Sequence, residues 1–160
     1  MQKITVLSVG KLKEEYWRQA EGEYLKRLGG FCDIHVIELA QAPLPAEPSE
    51  GQIQAALAVE AEQLLARIPK NAEVVSLCVE GKQRSSERLS ELIAQNADFG
   101  SGSMVFVIGG SFGLDERVKR RSDLRLSMSE MTFPHRLARI MLLEQLYRAY
   151  QIQRGTRYHK

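Results

Sequence analysis

The chain has 160 residues, of which 44% are apolar and 26% charged, so it suits one folded domain with a core and excludes a disordered chain or a disulfide-stabilised miniprotein. The formal net charge is only +2, but residues 1–116 hold 11 Lys and Arg against 17 Asp and Glu, whereas residues 117–160 hold 11 against 3. Such a basic C-terminal third is typical of a polyanion-binding face, although separated charge is equally common on ordinary solvated helices.

The two cysteines, Cys32 and Cys78, lie in apolar runs with no Cys or His at metal-ligand spacing. We therefore expect buried thiols, and neither a zinc site nor a disulfide. The chain opens with no signal-peptide pattern, and it has no apolar run of the roughly 18 residues that a membrane span needs. These features predict a cytoplasmic protein without a metal and without a membrane partner.

The first predicted elements are a strand and a helix. The run KITVLSVG (3–10) is β-branched and ends in glycine, which is typical of a buried strand. In residues 11–30, apolar residues recur every four positions from Leu12 to Leu28, which predicts a helix that ends at Gly29.

A second strand is predicted at FCDIHVIEL (31–39). Three prolines then make residues 40–51 a loop, which we expect to be a mobile surface flap and no domain linker, because the preceding part is too small to fold alone. A helix follows from about Ser49 to Arg67, with Pro69 shortly after its end.

The middle of the chain predicts a third strand at EVVSLCVEG (73–81) and a helix at SSERLSELIAQNA (85–97). Either Ser85 or Ser86 could cap this helix, and Glu91 lies in range for a capping box.

The C-terminal part continues the alternation. It predicts a fourth strand at SMVFVIGG (103–110), a short helix capped by Asp115, a fifth strand at DLRLSMS (123–129) and a last helix from Pro134 to about Arg154. Alternating strands and helices indicate an α/β fold, with a mostly parallel sheet and helices on both faces.

The last helix is apolar around more than half of its circumference, and one sheet face could not cover so wide a surface. The apolar positions are Leu137, Ile140, Met141, Leu142, Leu143, Leu146, Tyr147, Tyr150 and Ile152. We expect a second copy of the chain to pack on it in a homodimer; a helix enclosed by its own domain is the alternative.

Three strand ends carry features of a binding crevice, at Leu77 to Gly81, at Gly109 to Gly113 and after Met128. Open α/β sheets bind ligands beyond the carboxyl ends of their strands, so these turns would line one crevice. Their Leu, Met and Phe side chains and free backbone N–H and C=O groups suit a flat heteroaromatic ring such as adenine better than a phosphate. Neither a Rossmann fingerprint nor a phosphate-binding loop is present. Taken alone, the glycines are equally explained by plain strand-to-helix turns.

The segments VFVIGGSFGL, LSMSEMTFPHRLARIMLLEQLYRAYQI and the terminal YHK, with the opening KITVLSVGKLKEEYWRQAEGEYLKRL, closely resemble the ribosomal RNA large-subunit methyltransferase H family of the SPOUT class. The resemblance covers essentially the whole chain. It implies a single SPOUT domain over residues 1–160, a C-terminal trefoil knot and an obligate homodimer. It also implies methyl transfer from S-adenosylmethionine to N3 of pseudouridine 1915 in 23S rRNA of the assembled ribosome.

Residue by residue, the resemblance implies cofactor contacts in the three turns, at Leu77, Gly109, Met128, Ser129, Glu130, Met131, Thr132 and Phe133. Considered singly, Met128, Met131 or Phe133 would be better explained as an apolar side chain of the core. Their common place in one loop favours the cofactor site.

The acceptor nitrogen carries a proton that must leave, so a base with a pKa near neutrality is expected. His135 falls in the first turn of the last helix, where the helix dipole would lower its pKa and keep it neutral. Tyr158 and His159 match the family's functional C-terminus, and our hypothesis makes His159 the base, with substrate orientation as its alternative role. His35, in a strand pattern, is expected to be structural.

The basic C-terminal residues are expected to contact RNA phosphates. They are Arg136, Arg139, Arg148, Arg154, Arg157 and Lys160, of which the last three are the predicted RNA-binding residues. Arg148 lies four residues after Glu144 and is more simply explained as an intrahelical pair. Two rival functions are a methyltransferase with another RNA target and a ribosome-associated binding protein without chemistry.

Overall fold

A computed structural model describes residues 1–160 and contains five strands that alternate with five helices. The strands are β1 (Lys3–Val9), β2 (Asp33–Leu39), β3 (Glu73–Gln83), β4 (Ser103–Ile108) and β5 (Leu124–Ser127). The helices are α1 (Glu15–Leu28), α2 (Glu50–Ala66), α3 (Ser86–Phe99), α4 (Glu116–Arg121) and α5 (His135–Gln153).

All five strands are parallel and form one sheet in the order β2-β1-β4-β3-β5. The two central strands are buried on both faces, and alternate residues enter opposite cores. Ile4 and Phe106 pack against side chains of α1, α3 and α5, whereas Leu7 and Val107 pack against side chains of α2 and α4. This arrangement confirms the predicted α/β fold with helices on both faces.

Helix α1 begins at Glu15 and not at residue 11, so Leu12 is buried in the segment that precedes the helix. The Leu12 N–H donates to Glu38 Oε2 at 3.1 Å, and the four-residue spacing that includes Leu12 therefore overestimates the helix.

A capping box is present, but at a different helix from the predicted one. Ser49 and Gln52 satisfy each other's backbone N–H groups at the start of α2. At α3 the cap is Ser85, which accepts from the Arg88 N–H, and Glu91 pairs with the Arg88 guanidinium at 3.0 Å. With Ser85 as the cap, the third helical residue is an arginine, so the predicted box with Glu91 is wrong.

The proline-containing loop between β2 and α2 is anchored near its start. The Ala42 N–H donates to the buried Glu60 carboxylate of α2 at 2.9 Å. Glu60 is 6% exposed, and its burial raises the pKa of this carboxyl above the usual range.

Helix α5 packs on the sheet through buried Leu142, Leu143, Leu146 and Tyr150. The other five apolar positions of the predicted stripe are only half-buried within the chain, at Leu137, Ile140, Met141, Tyr147 and Ile152. None of the helices combines the length and hydrophobicity that crossing a bilayer requires. Cys32 and Cys78 are buried free thiols, as predicted.

Candidate active site

The ends of β4 and β5, and the part of β3 where its pairing with β5 shifts register, border one crevice with a volume of about 650 Å³. Its walls come from Leu77 to Glu80, from the turn after β4 and from the loop between β5 and α5. The three predicted segments therefore meet at one edge of the parallel sheet. The strand end predicted at Leu77 to Gly81 is wrong, however, because β3 continues to Gln83 and this segment is an irregularity in its pairing with β5.

The turn after β4 presents bare backbone to the crevice. Gly113 adopts a φ of +82°, which favours glycine, and its N–H donates to the Gly110 carbonyl at 3.1 Å. A Cβ at Gly109 would collide with the carbonyl of Gly113. Glycine at position 109 therefore lets two backbone segments lie in contact and keeps the crevice open beside them.

The loop after β5 forms the opposite wall. The Ser127 hydroxyl donates to the Ser129 carbonyl at 2.9 Å, and the Met131 N–H donates to Ser129 Oγ at 3.1 Å, so the loop is internally braced. Seven of the eight predicted cofactor-binding residues line the crevice, namely Leu77, Gly109, Met128, Ser129, Met131, Thr132 and Phe133. Glu130 belongs to the same loop but is exposed and lies outside the lining.

An ion pair that the sequence analysis missed also lines the crevice. Lys119 Nζ lies 2.6 Å from Glu80 Oε1, and this hydrogen bond lowers the pKa of Glu80 and raises that of Lys119. The place of Glu80 in the strand end that begins at Leu77 could have indicated it. Lys119 could not be found from sequence, because only the packing of α4 beside β3 brings it there.

His135, the first residue of α5, lines the crevice as well. Burial lowers its pKa, and the charges of Arg136 and Arg139 lower it further. This direction agrees with the sequence-based expectation, and burial is its largest cause. Its Nε2 lies beside Gly10, which directly follows β1 and has a φ of +100°.

Arg139 is not an RNA contact, contrary to the expectation for the basic segment. Its side chain is 3% exposed and donates to both carboxylate oxygens of Glu21, at 2.5 and 2.9 Å, and to Glu38 at 2.8 Å. A buried guanidinium needs such partners, which join α5 to α1 and β2. Arg148 forms the predicted intrahelical pair with Glu144, at 2.6 Å.

The C-terminal tail lies against α3 and α5 of its own chain. Tyr158 packs edge-on against Tyr147, with ring centroids 5.0 Å apart, and the Arg148 guanidinium lies 4.8 Å from the Tyr158 centroid. His159 contacts Arg148 and Glu87. Neither Tyr158 nor His159 lines the crevice of its own chain.

The three predicted RNA-binding residues are exposed. Arg154, Arg157 and Lys160 lie at the end of α5 and in the tail. The guanidinium of Arg154 lies 4.3 Å from the centre of the Phe31 ring, so this cation stacks on an aromatic face while keeping access to solvent. His35, by contrast, lies on β2 beside Asp33, at 2.9 Å, and takes no part in the crevice.

A second cavity of about 360 Å³ adjoins the first and shares Leu126 and Met128 with it. Ser86, Glu144 and Gln145 lie on its far side, next to the residues that hold the tail.

The crevice combines apolar side chains with bare backbone, a lining that suits a flat heteroaromatic group. No group of three or more His, Cys, Asp or Glu side chains is placed to hold a metal ion. A family model described as "Predicted SPOUT methyltransferase" matches residues 2–159.

Proposed function

The chain belongs to the SPOUT methyltransferases, which use S-adenosylmethionine as methyl donor. From that membership we propose that it binds the donor in the crevice and methylates N3 of pseudouridine 1915 in 23S rRNA of the assembled ribosome. The observation that carries the proposal is the crevice itself, in which three segments of the chain present backbone and apolar side chains around about 650 Å³.

The residues present fit the cofactor. A ligand of this size needs a cavity of roughly 300–1,000 Å³ with a mostly apolar lining and a few polar groups. Leu77, Met128 and Phe133 supply apolar surface, while Gly109 contributes backbone to the wall and, without a Cβ, packs directly against the Gly113 carbonyl. When bound, the cofactor supplies a methyl group on a positively charged sulfur, which is an activated electrophile.

The protein's own contribution to such a displacement is mainly positioning, because two bound partners must meet in line. The acceptor must also lose a proton. His135 lies on the crevice wall and its lowered pKa keeps the ring neutral near pH 7, so it can accept a proton. Tyr158 and His159 are the further catalytic candidates of the proposal, and both lie in the tail.

The proposal includes the homodimer and the RNA. The five half-buried apolar positions of α5 would be covered by a second copy of the chain, which would bring two tails and two crevices together. Exposed Arg154, Arg157 and Lys160 would contact phosphates at the rim. A trefoil-knotted C-terminal part and a cytoplasmic location complete the proposal.

Mass spectrometry of 23S rRNA tests the function directly. In a strain that lacks the gene, the proposed nucleotide should lose its methyl group, and a plasmid copy of the gene should restore it. An unchanged nucleotide in the deletion strain would refute the proposed substrate. Loss of a methyl group from another nucleotide would support the rival RNA target. If the protein does not bind S-adenosylmethionine in calorimetry at high micromolar concentration, the non-catalytic binding protein is favoured.

A further inference from the structure

The C-terminal tail returns onto its own subunit through a defined turn. The Gly155 N–H donates to the Ile152 carbonyl at 3.0 Å, and the Thr156 N–H donates to the Gln151 carbonyl at 3.2 Å. Gly155 has a φ of +66°. This pair of bonds is the Schellman motif, in which a left-handed glycine ends a helix and reverses the chain. The direction of the tail is therefore fixed by α5 itself.

Both ring nitrogens of His159 are occupied where the tail rests. Arg148 Nη1 lies 3.1 Å from Nδ1, and Glu87 Oε1 lies 2.5 Å from Nε2. A guanidinium can only donate, so Nδ1 must accept, and an ionised carboxylate can only accept, so Nε2 must carry the hydrogen. His159 is therefore held as the neutral tautomer with hydrogen on Nε2. Its one lone pair, on Nδ1, is already used by Arg148.

Arg148 and Glu87, which contact His159, are fixed by their own surroundings. Two nitrogens of Arg148 donate to Glu144 Oε1, Nη2 at 2.6 Å and Nε at 2.9 Å, and this leaves Nη1 directed at the tail. The Tyr158 hydroxyl lies 3.4 Å from the same Glu144 oxygen. Glu87 belongs to the first turn of α3, where the helix dipole favours its ionised form. The tail thus bridges the N-terminus of α3 and the last turns of α5.

His135 has the opposite surroundings. It is half-buried in the crevice wall, and its ring makes no hydrogen bond within the chain. A ring nitrogen of His135 is therefore free to accept a proton inside the crevice, whereas His159 would first have to lose its bond from Arg148.

We propose that Glu87 and Arg148 seat the C-terminal tail through His159, so that His159 is a positioning residue and the imidazole that takes the acceptor's proton is that of His135. This inference replaces our hypothesis that His159 is the base, and its second half rests on the proposed function. In the step, the N3–H bond breaks and its proton goes to a ring nitrogen of His135. The nitrogen's electron pair forms the bond to the methyl carbon, and the carbon–sulfur bond breaks with its electrons remaining on a neutral sulfur.

Nuclear magnetic resonance of the histidine ring nitrogens tests whether Glu87 and Arg148 hold His159, and it needs no activity measurement. In the full-length protein at neutral pH, His159 should show a protonated Nε2 and a hydrogen-bonded, unprotonated Nδ1. Glu87→Ala should release the ring and give the averaged tautomers of a solvated histidine. Glu91→Ala, which removes an exposed carboxylate one turn along the same helix, should leave the His159 signals unchanged. Averaged tautomers in the wild-type protein, or signals insensitive to Glu87→Ala, would refute the claim that Glu87 and Arg148 hold His159.

Kinetics on ribosomal substrate separate the two histidines. If His159 acts only through its seat, Glu87→Ala and His159→Ala should each lower kcat/KM by a similar factor, up to about 100-fold. The double variant should then be no slower than either single variant, because both changes remove one interaction. His135→Ala should lower kcat by about 100- to 10,000-fold, the size of a general-base contribution. A large kcat loss in His159→Ala with near-normal Glu87→Ala would refute the assignment. If the wild-type protein methylates no ribosome, the proposed function fails, while the resonance experiment still decides whether Glu87 and Arg148 hold His159.

Discussion

Replacing Gly109 by alanine should weaken the binding of S-adenosylmethionine. The added Cβ would collide with the Gly113 carbonyl and would come within 3.0 Å of Leu114 Cδ2. The carbonyl cannot rotate away as a side chain would, because the Gly110–Gly113 bond closes this turn. The turn that forms one wall of the crevice must therefore move.

The size of the effect follows from the collision. Forcing one extra carbon into a packed site costs about 1–3 kcal/mol. If the strain destabilises the conformation of the turn that binds the cofactor, the dissociation constant rises by about 5- to 150-fold, since each 1.4 kcal/mol is a factor of ten.

Calorimetric titration with S-adenosylmethionine measures this effect, and thermal unfolding of the same samples shows whether the variant is folded. The matched control is Gly22→Ala in the exposed part of α1, where no atom lies within 4 Å of the new Cβ. The control should keep wild-type affinity and gain about 0.5–1 kcal/mol of stability. Wild-type affinity in a folded Gly109→Ala protein would show that the turn is no part of the cofactor site.

Three further predictions concern buried groups. Arg139→Met should lower the free energy of unfolding by about 3–5 kcal/mol in denaturant titrations, because it leaves two carboxylates without their buried partner, whereas Arg148→Met should cost at most about 1 kcal/mol. Glu60→Gln should raise the melting temperature at pH 7. Folding raises the pKa of Glu60, so the ionised carboxylate destabilises the native state at pH 7. The advantage of Glu60→Gln should vanish when the pH falls below the pKa of glutamate in the unfolded chain, about 4.3, because Glu60 is then protonated in both states. An advantage that persists in acid would contradict this. Cys32, whose pKa burial raises to about 11, and Cys78 should resist thiol reagents in the native protein and react fully only after unfolding.

The parallel sheet and the crevice could be predicted from the sequence because both follow from local patterns. Short apolar, β-branched runs mark the buried strands, and parallel strands run in one direction, so Leu77, Gly109 and Met128 come together at one edge without knowledge of the loops.

Long-range pairs could not be predicted in this way. Arg139 looked like a phosphate contact because its partners, Glu21 and Glu38, are 118 and 101 residues away in sequence. The same holds for Glu87, which lies 72 residues before His159. A basic side chain has the same sequence signature whether it faces a phosphate or a buried carboxylate. The trefoil knot stays a prediction from the resemblance, since strand periodicity does not determine how a chain is threaded.

A crystal structure of the protein grown with S-adenosylmethionine tests the central claim most directly. The adenine ring should lie in the crevice, against the backbone at Gly109 and between Leu77 and the loop of residues 128–133. A cofactor bound at any other surface, with the crevice empty, would contradict the account.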